Sequence, residues 1–448
     1  MAAWSEQIHQ CRRDRGLTQE EFAREVARVA WERLHVQVGI DAAMVSKWER
    51  GTKLPSRRYQ RLLTALFETD APTTAAPHPP SGLGFDYAGP PTATLDDVDQ
   101  VGRADMERRD FLRGALFTVG LSIAPSRDWL VATIEDATAP TRRVGASQVD
   151  AIRRTFALFQ EMDVMRGGGH ARHQLASYVT TVITPLLRDN DASTAAGRSL
   201  YEAGAEQLYL LGWMAYDDGQ HALAQRYLVQ ALRLAQEARS PELGAHILAG
   251  LSDQATLTGH PDQGLQLARA GRAGLQHTDS AACLADLWAL QARAEAALGE
   301  GASAARSVVE SERHAASLDL TNEPEWARFI DPAYLNGEYA HAFRDLDQAA
   351  DSATFAQRSA DEAAKQHRAR RGSLAHATLS RAALGSHDLD AAASAATTTA
   401  QLAATVRSSR STEAVHDLRH RLRPHDTSPA VADFFAVADT LFPAASWP

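Results

Sequence analysis

LGWMAYDDGQHALAQRYLVQAL (Leu211–Leu232) holds the unit on which the fold turns. An apolar helical run ends at Gly219, and a second helical run begins at once. Ala224 lies five residues past the glycine, and Ala231 seven further on. LSDQATLTGHPDQGLQLARAG (Leu251–Gly271) repeats the arrangement with Gly259, Gly264 and Gly271. Gly299, Ala304 and Ser311 repeat it again. The first three glycines are 40 residues apart, and Gly337, with Ala342 after it, follows at 38. A glycine stops one helix, and small residues at fixed offsets let the next helix return close beside it. A period of this size means stacked helix–turn–helix units, an α-solenoid. LGSHDLDAAASAATTTA (Leu384–Ala400) reads as a further, more divergent unit.

The rest of the composition agrees with an all-α chain. Aromatic residues make up 7% and charged residues 23% of 448 residues, and alanine is abundant, which favours helices over sheets. That length implies two or three domains. Cys11 and Cys283 fall in no metal-ligand or disulfide pattern and read as small buried apolar residues in a reducing cytoplasm. Net charge is −10, but residues 1–70 carry 12 Lys/Arg against 10 Asp/Glu. A mildly basic head on an acidic body points to different partners for the two parts.

Between them the texture changes. Residues 71–103 hold Pro72, Pro77, Pro79, Pro80, Pro90 and Pro91, then Asp96, Asp97 and Asp99, and read as a linker. Residues 104–144 follow as a connector containing MERRDFLRGALFTVGLSIAPS (Met106–Ser126). Twin arginines before an apolar run look like an export signal, yet this one sits a hundred residues into the chain. Its apolar run, Gly114–Ala124, is shorter than the ~20 residues of a membrane span. With Asp105 as cap and Phe111, Leu112, Ala115, Leu116 and Val119 on one face, it reads as a docking helix.

The head reads as four helices. Trp4, Ile8 and Cys11 line the first, which ends at Gly16. Thr18 and Glu21 form a capping box for the second, lined by Phe22, Val26 and Val29. Asp41 caps the third, Gly51 stops it, and Leu62, Leu63, Leu66 and Phe67 line the fourth. LTQEEFA (Leu17–Ala23), MVSKWERG (Met44–Gly51) and Leu54-Pro55 together resemble the Cro/repressor-like helix-turn-helix family of the xenobiotic-response-element type. RVAWERLHVQVGI (Arg28–Ile40) is longer than the family's usual connection between helices two and three.

The resemblance implies DNA binding with the third helix in the major groove. Val45 and Trp48 face the core, leaving Ala42, Ala43, Ser46 and Lys47 towards base edges. Gln19, Arg50, Lys53, Arg57 and Arg58 are then placed at phosphates.

Residues 145–448 resemble the tetratricopeptide-type repeats of actinobacterial regulators that join such a head to a helical body, although 38–40 residues exceeds the usual repeat of about 34. Those relatives imply a groove for an effector, with Tyr209, Trp213, Tyr216 and Trp288 as candidate lining residues. His170 and His173 lack a third metal ligand, and Gly167–Gly169 is not followed by the Lys-Ser/Thr of a phosphate loop. No catalytic motif is present, so neither enzyme activity, cofactor nor metal is expected. The sequence thus points to an all-α, cytoplasmic, nucleoid-associated regulator. Its expected partners are a double-stranded DNA operator, a second copy in a homodimer, and a peptide or small-molecule effector, with no membrane. The competing reading is a protein-interaction scaffold with a vestigial head.

Overall fold

The computed structural model describes residues 2–14, 17–19, 21–23, 26, 40, 42–50, 55, 63, 91–107, 146–275 and 280–443. The described residues form helices and turns, with no strand among them. The chain divides into two units, Met1–His78 and Pro79–Pro448.

In the first unit, α1 (Ala2–Asp14) packs against α2 (Ala42–Glu49). Ile8 and Cys11 meet Phe22, Ala23, Val26, Val45, Trp48 and Leu63 in one apolar cluster. The capping box forms as read. The Thr18 N–H donates to the Glu21 carboxylate at 2.8 Å, and the Glu21 N–H returns to Thr18 Oγ1 at 3.2 Å. Asp41, Gly51, Lys53, Arg57, Arg58, Leu62, Leu66 and Phe67 lie outside the described residues, as do Val29 and most of the Arg28–Ile40 insertion.

The second unit opens with α3 (Pro91–Glu107), inside the stretch expected to be linker and connector. Its Leu95, Val98 and Val101 enter the core of the body. Asp105, expected to cap the next helix, lies within α3, buried, paired with Arg172 and accepting from the Tyr227 hydroxyl at 3.0 Å. An aspartate with those partners is worth more inside the helix than at the start of another one. Residues 108–145, with the twin arginines and their apolar run, lie outside the described residues.

The helix α4 (Ala146–Arg166) follows, then α5 (Arg172–Tyr178), a π-helical turn (Val179–Ile183) and α6 (Thr184–Arg188). Six helix pairs come next: α7 (Ala195–Asp217) with α8 (His221–Ala238), α9 (Pro241–Leu257) with α10 (Pro261–Gly274), and α11 (Ala281–Ala297) with α12 (Gly301–Ala315). After them come α13 (Pro332–Asp345) with α14 (Ala349–Lys365), α15 (Ala369–Gly385) with α16 (Leu389–Ala403), and α17 (Ser409–Leu422) with α18 (Pro429–Leu441). The first helix of each pair also touches the first helix of the next, which makes the series a solenoid.

Gly219, Gly259 and Gly299 hold the first three turns at φ +73°, +87° and +79°. In each, the following residue returns its N–H to a carbonyl five positions back, at 2.8 Å. The small residue expected five positions later does what was asked of it: a Cβ on Gly264 would lie 2.9 Å from the Ser252 carbonyl.

Gly337 does not continue the series. It lies inside α13, packed beside Ser359 and Arg371, and the fourth turn is made by Asp347 at φ +57°. His387 makes the fifth at φ +60°, again 40 residues on. The step from Gly299 to Asp347 is 48 residues because the connection from α12 to α13 is long. That strap contains a 3-10 turn (Glu325–Ala327) and buries Trp326, Ala327 and Ile330.

The solenoid closes on its own beginning. Arg370 of α15 bonds Asp163 of α4 and Asp217 of α7 at 2.7 and 2.9 Å. Ser408 donates to Asp217 at 2.8 Å, and the Arg407 N–H reaches the Arg166 carbonyl at 2.7 Å. The three glycines at 167–169 serve this junction. A Cβ on Gly167 would collide with the Arg407 backbone, and one on Gly168 would lie 2.6 Å from the Met214 carbonyl.

Candidate functional site

Two regions gather the candidate residues. In the head, helical spacing sends Val45 and Trp48 inward, 0% and 2% exposed. Ala42 and Ser46 are half-buried, and Lys47 and Arg50 are exposed on the other side. Ala43 belongs to the same helix, with its side chain outside the description. Arg50 Nε folds back on the Ser46 carbonyl at 3.2 Å.

Glu49 fastens this helix. Its carboxylate accepts from Arg12 Nε and from the Gln19 amide, both at 2.6 Å. Burial pushes the carboxyl upward, but the hydrogen bonds from Arg12 and Gln19 outweigh it and hold the group below its ordinary value. Gln19 therefore spends one donor on positioning α2.

In the body, the four aromatics separate. Tyr209 and Tyr216 are buried, Trp213 is half-buried, and the Trp213 ring stands 5.2 Å from that of Tyr216. The Tyr216 hydroxyl donates to Asp253 at 2.9 Å. Phe329 of the strap approaches Trp213 at 6.2 Å, and His246 packs, tilted, between Tyr209 and the strap's Trp326 at 4.4 and 5.0 Å. Trp288 is elsewhere, under the Arg272 guanidinium at 3.5 Å, in a groove between α10, α11 and α12.

Where Tyr209 and Trp213 meet the closing helices there is a small cavity of about 30 Å³. Arg368, Arg370, Arg371 and Arg410 line it with Asp163 and Phe329. Burial pushes Asp163 above its ordinary value despite Arg370. At Asp217 burial is the largest influence, yet Arg370, Arg410, the Gly168 N–H and Ser408 overcome it and keep the group low. Arg293 is sandwiched between Asp253 and Glu338, the latter at 2.9 Å. Arg371 also reaches Glu338, at 3.3 Å, and Arg368 reaches Asp331 at 2.6 Å.

The sequence reading missed this arginine cluster. Its signal was the same period that marked the turns: Arg370 and Arg410 are 40 residues apart, as are Asp253 and Arg293. Equal positions on successive inner helices face one another, so a periodic charge is a candidate partner.

Outside the cavity, α4 and the strap border an open groove of about 670 Å³, lined by Ala157, Leu158, Val164, Phe329 and charged residues at its edge. It shares Gln160, Val164, Phe329 and Arg368 with the cavity. No helix among the described residues is long and apolar enough to cross a membrane. No protein-family model matches the chain, and a search of curated proteins returns no match.

Proposed function

We propose that the protein is a sequence-specific DNA-binding transcriptional regulator. Residues 1–70 act as a helix-turn-helix head, and the helical-hairpin body dimerises, senses a peptide or small-molecule effector, or does both. The observation that carries this is the facing of α2. Its two large apolar residues are spent on the head's core, while Ser46, Lys47 and Arg50 are left on the outer side of a helix fastened by Glu49. Ser46 and Lys47 suit base edges and Arg50 suits a phosphate, with Lys53, Arg57 and Arg58 as further cations just beyond.

The test is binding of the full chain to host genomic fragments at low salt. Lys47→Ala and Arg50→Ala should each weaken binding, with the salt slope falling by about one for a lost phosphate contact. Binding untouched by both changes would end this reading. The alternative, a protein-interaction scaffold, draws on the size of the second unit, Pro79–Pro448. Deleting residues 1–70 separates them, since a scaffold keeps its function without the head.

A further inference from the structure

The cavity at the closure of the solenoid has an unusual charge arrangement. Arg368 stands at the N-cap of α15, and Arg370 and Arg371 lie in its first turn. Arg410 lies in the first turn of α17. A helix N-terminus favours negative charge, and neither first turn contains an acidic residue. Two positive helix ends and four guanidinium groups therefore converge on one small space.

Three of these arginines have carboxylate partners: Arg368 has Asp331, Arg370 has Asp163 and Asp217, and Arg371 has Glu338. Asp253 and Glu338 are further engaged by Arg293. Arg410 is different. It is half-buried, it lines the cavity, and its close contact is the ring of Tyr216 at 4.8 Å. It makes no direct hydrogen bond or ion pair with a carboxylate among the described residues, and Asp253, Asp217 and Glu338 act on its charge only at longer range. A guanidinium offers five donors in a planar fork shaped for a carboxylate.

The space beyond it sets the rest of the ligand. The cavity, about 30 Å³, is close to the share of one water molecule, so only the small polar end of a ligand could enter it. The groove that shares its wall is about 670 Å³, within the ~300–1,000 Å³ of small-molecule sites. Ala157, Leu158, Val164 and Phe329 give it apolar lining, and Leu158 on α4 is 59% exposed there.

We propose that the body binds a small amphipathic carboxylic acid, with its carboxylate in the cavity against Arg410 and its apolar chain along α4. This names the class of effector in the regulatory reading and rests on that reading for its purpose. The binding itself needs no DNA, so its failure is separate from failure of the head.

Calorimetric titration of the full-length protein with octanoate, its methyl ester, butyrate and inorganic phosphate tests it. Octanoate should bind saturably, the ester and butyrate at least tenfold more weakly, and phosphate should not compete. Arg410→Gln should weaken octanoate at least tenfold with the helical circular dichroism unchanged. Leu158→Asp, at an exposed position, should erase the advantage of octanoate over butyrate, and keeps the test open if Arg410→Gln does not fold. Equal binding of acid and ester, preference for phosphate, absence of octanoate binding, or full affinity in both variants would each overturn the proposal.

Discussion

The first three hairpins and the fifth build the same unit from different residues. The α7–α12 hairpins turn on glycine, and the first of them fills its core with leucine and tyrosine, such as Leu208, Leu211, Tyr216, Tyr227 and Leu228. The α15/α16 hairpin turns on His387 and packs on Ala377, Ala392, Ala393, Ala396 and Ala400. The repeat geometry thus fixes where a turn must be left-handed and where two helices must come close. It does not fix how much apolar volume fills each layer. The large residues sit where the strap and α4 must also be covered, and the alanine layer holds a peripheral hairpin.

The most severe way to break this comparison is to uncouple its two halves. Arg370 joins α15 to α4 and α7, and Arg370→Leu leaves Asp163 and Asp217 buried without it. The expected loss is ~3–5 kcal/mol in denaturant unfolding, with earlier release of the C-terminal hairpins in hydrogen exchange. Unchanged stability would mean the closure is not a fastening.

Next comes Leu228→Ala in the early region, which leaves a void under Gly212 and Gly250. It should cost ~2–5 kcal/mol, whereas the buried apolar residues that α16 gives to its cluster are all alanines.

Glu206 sharpens the contrast through pH. Burial, aided by Glu202 and opposed by Arg153, pushes its carboxyl up to about 7. The folded-state value lies above that of an unfolded glutamate, so its contribution is intact in acid and is lost as pH rises through about 7. Glu206→Gln should therefore stabilise the protein at pH 8 by ~2–3 kcal/mol relative to its effect at pH 5, read from melting midpoints at the two pH values. A pH-independent difference would contradict the assignment.

The smallest effects belong to the turns. A Cβ on Gly299 would meet open space, so Gly299→Ala should cost ~1 kcal/mol by backbone strain alone. His387→Gly, at an exposed left-handed position, should go the other way by a few tenths to ~1 kcal/mol. Shifts of the same sign would show that the two turns are not equivalent.

These turns also explain how far the sequence could be read. Gly219, Gly259 and Gly299 were legible because only glycine enters the left-handed region without cost. Asp347 and His387 were hidden because polar residues tolerate that region without advertising it. Gly337 then drew the fourth turn to the wrong place, and the strap, with Trp326 and Phe329, went unseen. In the head, the capping box and the inward pair Val45 and Trp48 were readable from local chemistry. Asp105 was read as a cap because its partners Arg172 and Tyr227 lie far along the chain. Of the candidate lining residues Tyr209, Trp213, Tyr216 and Trp288, Tyr209 and Trp213 line the small cavity, Trp288 lines another groove, and the arginine cluster required knowledge of the closure.

The central claim is that the head holds DNA through the outer side of α2. Its most direct test is the salt dependence of binding between the full-length chain and short duplexes from the host genome. The account predicts nanomolar-to-micromolar binding at ~50 mM salt that falls steeply and linearly on a log–log plot, with a preferred subset of duplexes. Negligible binding to every duplex at that salt would contradict it.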